Sequence, residues 1–151
     1  MSTSILACMA AAAAFYHLPP RVLPSIQAVE GGRPGLVQPN TNGSADLGLM
    51  QINTLWIGPL ARYARLDRRA VTDRLINDTC FNISAAAAIM GYYRREAHGN
   101  LMVAIGYYHS HTPVFAAAYQ QKVVIAAGRL FGHIRRQEAP VRNEDQQDPD
   151  Q

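Results

Sequence analysis

The sequence has few charged residues, only two cysteines and no apolar segment long enough to cross a bilayer. Charged residues make up 17% of the 151 positions, against about a quarter in typical proteins. Hydrophobic residues make up 48%, which excludes a globally disordered chain. The longest apolar run, Ile5 to Tyr16, is shorter than the roughly 20 residues of a transmembrane helix. We therefore expect one globular domain without stable membrane insertion.

Acidic residues are concentrated at the C-terminus. The net charge is +3, but residues 138–151 hold five acids and one base, which leaves +7 on the rest of the chain. Such a surface suits an anionic partner: nucleic acid, a membrane or an acidic cell-wall polymer. An ordinary basic surface remains an alternative, and no nucleic-acid motif is present. Residues 137–151 have too few apolar side chains for their burial to offset the entropy cost of ordering this segment. We therefore predict a domain over 1–136 and a disordered acidic tail over 137–151.

The spacing of apolar residues predicts a mostly helical α+β fold with one β-hairpin. The hairpin is predicted within 36–50, because Asn42-Gly43 is a strong turn signal. Pro20 opens and Gly31-Gly32 end a helix whose apolar face carries Leu23, Ile26 and Glu30. Further helices are predicted over 52–64, 68–77, 83–97 with Asn82 as N-cap, 100–109 and 113–131.

The N-terminal segment has two interpretations. Its apolar, alanine-rich stretch could be a secretory signal, but no Lys or Arg precedes Arg21, so the charged region of a signal is missing. Alanine also favours helices. We expect a packed first helix that retains Cys8.

Two carboxylates are candidates for glycosidic chemistry. Glu30 ends an apolar helix face, where desolvation and the negative end of the helix dipole would raise its pKa, as a general acid requires. Asp46 follows the hairpin turn, so a hairpin packed against the helix end would bring both carboxyls to one cleft. The alternatives are an exposed helix-terminal Glu30 and a turn-stabilising Asp46. Glu96, the other glutamate before the tail, follows Arg94 and Arg95 and is expected to be a solvated surface charge.

Several motifs resemble the lysozyme-like lytic transglycosylases that accompany type IV secretion and conjugation machinery. The sequence NTNGSADLGLMQINTLW over 40–56, with VEGG over 29–32 before it, contains that family's Gly-Leu-Met-Gln core and is also similar to c-type lysozymes. CFNI over 80–83 and YHSHTP over 108–113, followed by Tyr119, resemble further family segments. Matched positions extend from Cys8 to about Val123. The resemblance implies a lysozyme-like fold with the hairpin beside an active-site cleft.

The resemblance also implies roles for individual residues. Glu30 would be the catalytic acid and then base, and Asp46 would be the second carboxylate in a lysozyme-like hydrolysis. Substrate-binding roles fall on polar and aromatic residues that could contact sugars through amides, hydroxyls and ring faces. These residues are Gln51, Asn53, Trp56, Tyr108, His109 and Tyr119, and for Tyr119 the resemblance implies a hydrogen bond to Glu30. Ordinary helix packing is the alternative for Trp56 and the tyrosines.

The cysteines alone do not determine a redox compartment, and two free thiols would be expected in a cytosolic chain. The resemblance implies an exported protein in which Cys8 and Cys80 form a disulfide. His109 and His111 form a His-x-His pair without further ligands at zinc spacing. We therefore expect no metal, and no nucleotide-binding fingerprint predicts a cofactor.

The leading functional hypothesis is a periplasmic peptidoglycan lytic transglycosylase that opens the cell wall for a secretion or conjugation apparatus. A lysozyme-like muramidase that uses Asp46 is one alternative. A wall-binding scaffold that contacts apparatus proteins is another, and the acidic tail fits it. A basic nucleic-acid binder would rest on charge alone.

Overall fold

A computed structural model describes residues 1–137, with side chains described as far as residue 132. The described chain is mostly helical and has one small antiparallel sheet with strand order β1-β2-β3. The helices are α1 (Thr3–Phe15), α2 (Val22–Glu30), α3 (Ile57–Ala64), α4 (Arg68–Asn77), α5 (Thr79–Glu96), α6 (Leu101–His109) and α7 (Pro113–Gln137). The strands are β1 (Val37–Pro39), β2 (Ala45–Leu47) and β3 (Ile52–Asn53). The predicted α+β class is confirmed.

Helix α5 is the centre of the hydrophobic core. Ile83, Ala86, Ala87 and Met90 on this helix have no exposed surface, and the helix packs against α1, α4 and α6. Small alanine side chains allow neighbouring helices to approach closely, and α1 buries Met9 and two alanines of its own in the same core. The alanine-rich N-terminal segment is therefore a packed helix, as predicted.

The hairpin prediction is correct but incomplete. Strands β1 and β2 are joined through Asn40–Ser44, and Gly43 adopts the positive φ that such a turn favours. A third strand, β3, pairs with β2 and places Asp46 opposite Asn53. The predicted helix over 52–64 is therefore wrong at its start. After β3, a 3-10 turn (Thr54–Trp56) leads into α3, and the Asn53 side chain caps this turn by accepting from the Leu55 amide.

The predicted N-cap of α5 is also wrong. Asp78, not Asn82, caps the helix, and its carboxylate accepts from the Phe81 amide at 3.0 Å. An aspartate is an equally good N-cap residue, and the helix consequently begins one turn earlier than predicted. Asn82 lies inside the helix and is 1% exposed.

The C-terminal helix extends past its predicted end at residue 131, because α7 continues to Gln137. Apart from Gln137, the acidic tail predicted over 137–151 lies outside the described residues. Among the described helices, none is both long and apolar enough to cross a membrane.

Candidate active site

The candidate acid Glu30 is the last residue of α2 and faces a cleft of about 350 Å³. Gly31 adopts a left-handed conformation and ends the helix directly after it. Gly32 then packs against the backbone of the segment after β2, where a Cβ would collide with the carbonyl oxygens of Gly48 and Leu49. Two successive glycines thus bring the end of α2 against the sheet, so Glu30 and the hairpin face one cleft.

Tyr119 of α7, which does not line the cleft, forms a hydrogen bond with the Glu30 carboxyl. Its hydroxyl donates a hydrogen bond to Oε1 of Glu30 at 2.6 Å, and only 4% of Tyr119 is exposed. Burial raises the pKa of Glu30 above its ordinary value; the Tyr119 bond and the nearby Lys122 oppose this rise, and the charge of Asp46 adds to it. The sequence-based expectation of a raised pKa at Glu30 agrees with this environment.

Asp46 lies on β2 and lines the same cleft. The Asn40 amide donates to its Oδ2 at 3.1 Å, and the Asn53 amide donates to its Oδ1 at 2.9 Å. Two amide donors therefore fix the orientation of the Asp46 carboxyl group. The cleft contains one carboxyl whose pKa is raised and a second that accepts two amide hydrogen bonds.

Two residues predicted to bind substrate have their amides occupied within the protein. Asn53 donates to both Asp46 and Ser44 and accepts from Leu55, so it positions Asp46. Gln51 lines the cleft with a positive φ of 52° and donates to the Gly48 carbonyl at 2.9 Å. Its amide oxygen has no partner within the described residues.

Asn82 supports the Gly-Leu-Met-Gln segment from inside the core. It accepts from the Met50 amide at 2.8 Å and donates to the carbonyls of Leu47 at 2.9 Å and Leu75 at 2.8 Å. Gly48 between them has φ +70°, and a Cβ there would collide with the Leu75 carbonyl and the Asn82 side chain. Sequence reasoning missed this role, although CFNI was among the matched motifs, because Asn82 was interpreted as a helix cap.

Aromatic side chains form one wall of the cleft. Trp56 is half-buried and contacts Tyr93 edge-to-face, with ring centroids 5.6 Å apart. Tyr107 stacks on His111 at 4.2 Å, and both line the cleft. Aromatic faces of this kind can stack against sugar rings. Only Trp56 of this wall was predicted from the sequence.

The other three predicted residues lie at or behind the cleft. Tyr108 lines it, and its hydroxyl donates to the Met50 carbonyl at 3.0 Å. His109 is exposed at the rim and stacks on Tyr119 with ring centroids 5.0 Å apart. Tyr119 supports Glu30 from the protein side and is not among the residues that line the cleft.

Glu96 is an exposed residue, as predicted, and it also contacts His111, a partner that the sequence does not indicate. Its Oε1 lies 2.6 Å from Nε2 of His111, and the two side chains are 39% and 52% exposed, respectively. This contact ties the end of α5 to the loop between α6 and α7. His111 and His109 contact different partners, and the described residues contain no cluster of three potential metal ligands.

The structure joins Cys8 of α1 and Cys80 in the first turn of α5 by a disulfide, and the two cysteines are 72 positions apart in sequence. The bond links the two helices whose alanine-rich faces pack together. It lies on the α1 side of α5, and neither cysteine lines the cleft.

The mostly helical fold, with a three-stranded sheet and two carboxylates in one cleft, defines a lysozyme-like protein. Comparison with protein families identifies which kind: the family described as Transglycosylase SLT domain matches residues 7–121 of the 151. The chain belongs to this family, and its function is of the peptidoglycan-degrading, lytic transglycosylase type. A search of curated proteins found no match.

Proposed function

We propose that this protein is a lytic transglycosylase that cleaves the β-1,4 bond between N-acetylmuramic acid and N-acetylglucosamine, with Glu30 as acid and then base. The observation that supports this proposal is the environment of Glu30. Its carboxyl is half-buried, has a raised pKa and faces a cleft, and its Oε1 accepts a hydrogen bond from the Tyr119 hydroxyl at 2.6 Å. A general acid must be protonated near neutral pH, and burial favours that state.

In the first step, the Glu30 carboxyl gives its proton to the glycosidic oxygen. The bond from C1 of the muramoyl ring to that oxygen breaks, and the N-acetylglucosamine leaves as the alcohol. The hydrogen bond from Tyr119 strengthens as Glu30 becomes ionised. The Asp46 carboxyl, oriented by two amides, lies in the same cleft as the developing oxocarbenium ion.

In the second step, the Glu30 carboxylate takes the proton of the muramoyl C6 hydroxyl as that oxygen bonds to C1. The product is a 1,6-anhydro ring, Glu30 is protonated again, and no water is consumed. We propose that Trp56 stacks against a sugar and that Gln51 and His109 contact its polar groups. Tyr108 and Asn53 contribute by holding the cleft wall and Asp46.

Hydrolysis is the second candidate outcome, and the position of Asp46 favours it. Two carboxyls in one cleft, Glu30 with a raised pKa and Asp46 oriented by two amides, also suit a muramidase in which water attacks C1. The two reactions differ by one water in the product, so the same digestion separates them.

The test is mass analysis of muropeptides released from intact peptidoglycan sacculi by the wild-type, Glu30→Gln and Asp46→Asn proteins. Anhydro-muramoyl products that require Glu30 and persist in Asp46→Asn support transglycosylation. Products one water heavier that require both carboxylates would make the protein a muramidase. Equal release by wild-type and Glu30→Gln would refute the assignment of Glu30.

We further propose that the protein acts in the periplasm and opens the wall for a secretion or conjugation apparatus, with apparatus proteins as partners. The support is the resemblance of the segment YHSHTP to transglycosylases of such systems. A transfer assay in a strain lacking the protein tests this role. Failure of Glu30→Gln to restore transfer supports an enzymatic role, whereas full restoration would support a wall-binding scaffold.

A further inference from the structure

A second pocket shares Trp56 with the cleft that contains the candidate acid. It has a volume of about 220 Å³ and is formed by Tyr16, which directly follows α1, and by residues of the 3-10 turn, α3 and α5. Trp56 and Ile89 line both this pocket and the catalytic cleft. We name it the Tyr16–Tyr63 pocket, after the two residues whose hydroxyls lie 3.0 Å apart at its edge. Its other lining residues are Pro59, Leu60, Ala88, Tyr92 and Arg95.

The lining of this pocket differs in kind from that of the catalytic cleft. The cleft presents amide and carboxyl side chains, such as Asn40, Gln51 and Asp46, beside its aromatic wall. The Tyr16–Tyr63 pocket contains no amide or carboxyl side chain; its polar groups are tyrosine hydroxyls and one guanidinium. Burial raises the pKa of Tyr16 to about 12, and its bond to Tyr63 adds to the rise, so this hydroxyl stays neutral and can donate.

Arg95 supplies the positive charge at the pocket. A Cβ at Gly91 would lie 3.6 Å from Cδ1 of Tyr16 and 3.9 Å from Nη1 of Arg95, so the Tyr16 ring and the Arg95 guanidinium both lie near the Gly91 backbone. Within the described residues, Arg95 has no ion pair and no side-chain hydrogen bond, whereas Glu96 next to it is held by His111. An arginine in this setting suits a carboxylate of a ligand.

The size of the pocket indicates that it would bind only part of a larger ligand. Pockets that bind free small molecules usually measure about 300–1,000 Å³. This pocket is smaller, and it shares Trp56 and Ile89 with a cleft that binds a polymer in the proposed function. In a peptidoglycan strand that bears its stems, the sugars are neutral, because the lactyl carboxyl of each muramoyl group is bound in the amide to its stem. The peptide stem on each muramoyl group carries the carboxylates, together with methyl groups and amides that suit the apolar wall and the tyrosine hydroxyls.

We propose that the Tyr16–Tyr63 pocket binds the peptide stem of a muramoyl residue next to the cleavage site, with Arg95 contacting a stem carboxylate. This inference rests on the proposed function, because the cleft must hold the glycan for its stem to reach the pocket. The pocket then selects strands that still bear peptides over strands from which peptides have been removed.

The test compares three sets of glycan strands of equal length: with intact stems, with stem carboxylates amidated, and with stems removed and the freed lactyl carboxylates amidated. The steady-state kcat and KM are measured for the wild-type, Arg95→Gln and Arg69→Gln proteins. Arg69 is an exposed residue of α4 that lines neither pocket, so its variant controls for the loss of one positive charge. Binding of the same strands is measured in the Glu30→Gln background, with and without Arg95→Gln.

Arg95→Gln should raise KM roughly fivefold for intact stems, as expected for one exposed ionic contact, with kcat and the other two substrates little changed. Arg69→Gln should behave like the wild type on all three. An equal rise on strands without stems would make the pocket a sugar subsite, and no change on any substrate would exclude a role for Arg95. Either result overturns the inference. Absence of turnover with stem-dependent binding intact would refute the proposed function but not this pocket.

Discussion

Replacing Tyr119 with phenylalanine tests whether the hydrogen bond behind Glu30 acts during proton transfer. The change removes one hydroxyl and leaves a ring that can still stack on His109. It removes the 2.6 Å bond to Oε1 of Glu30 without altering the carboxyl itself.

The expected magnitude follows from the charge that Glu30 gains in the first step. A hydrogen bond to a charged group contributes about 1.5–3 kcal/mol, and one between neutral groups about 0.5–1.5 kcal/mol. Only the difference, about 1–1.5 kcal/mol, stabilises the transition state relative to the protonated ground state. Tyr119→Phe should therefore lower kcat about five- to tenfold, with KM little changed because Tyr119 does not line the cleft.

The same variant should change the pH profile in a defined direction. The Tyr119 bond lowers the pKa of Glu30, against the larger effect of burial, so its loss raises that pKa further. Glu30 must begin the reaction protonated, and activity falls as pH rises through its pKa. The alkaline limb of kcat/KM should therefore move to higher pH in Tyr119→Phe.

The assay is the rate of release of soluble muropeptides from sacculi across pH, with thermal unfolding as the check on folding. Tyr108→Phe is the matched comparison, because it removes another buried hydroxyl, whose bond goes to the Met50 carbonyl. The alkaline limb of the kcat/KM profile of Tyr108→Phe should lie at the same pH as that of the wild type. An unchanged kcat with an unmoved or lowered alkaline limb in folded Tyr119→Phe would refute the reasoning.

Three further predictions concern stability and the cleft rim. Asn82→Ala should lower the free energy of unfolding by about 3 kcal/mol, because three buried backbone groups lose their partner; a urea transition as stable as that of the wild type would contradict this. Replacing Cys8 and Cys80 with serine should cost ~4 kcal/mol for a loop of 72 residues, and mass spectrometry without reductant should find no free thiol in the wild type. Glu96→Gln should raise KM about two- to threefold with kcat unchanged and lower stability by less than about 1 kcal/mol, because its exposed contact with His111 orders the rim. A changed kcat with KM unaffected would contradict that role.

Much of the fold could be predicted because its helices carry local signals. The glycines after Glu30 and the prolines before α2 and at the start of α7 mark helix ends through backbone geometry alone. Strand β3 could not be predicted in this way, because it has two residues and depends on pairing with β2. Its sequence continues into the 3-10 turn and α3, so apolar spacing suggested one helix.

The candidate site was predicted from motifs rather than from periodicity. Glu30 and Asp46 could be proposed as a pair because a turn signal separates them. Contacts made across the fold had no local signal, as the cases of Asn82 and Glu96 show. Asn82 has partners 32 and 35 residues away in sequence, and Glu96 contacts His111 15 residues further along the chain, with α6 between them.

The pocket beyond Trp56 depends on tertiary packing in the same way. Tyr16 directly follows α1, Tyr63 lies in α3, and the two residues are 47 positions apart in sequence. No spacing rule brings these two hydroxyls together. The three-dimensional structure was therefore needed to connect Arg95 with the cleft.

The most direct test of the account is the digestion of intact sacculi in water labelled with the heavy oxygen isotope, using wild-type and Glu30→Gln proteins of equal thermal stability. The account predicts that wild-type protein releases anhydro-muramoyl ends without the label and that Glu30→Gln releases none above background. Labelled reducing ends would show that water, not the C6 hydroxyl, attacks C1. Wild-type levels of cleavage by Glu30→Gln would contradict the central claim that Glu30 carries the reaction.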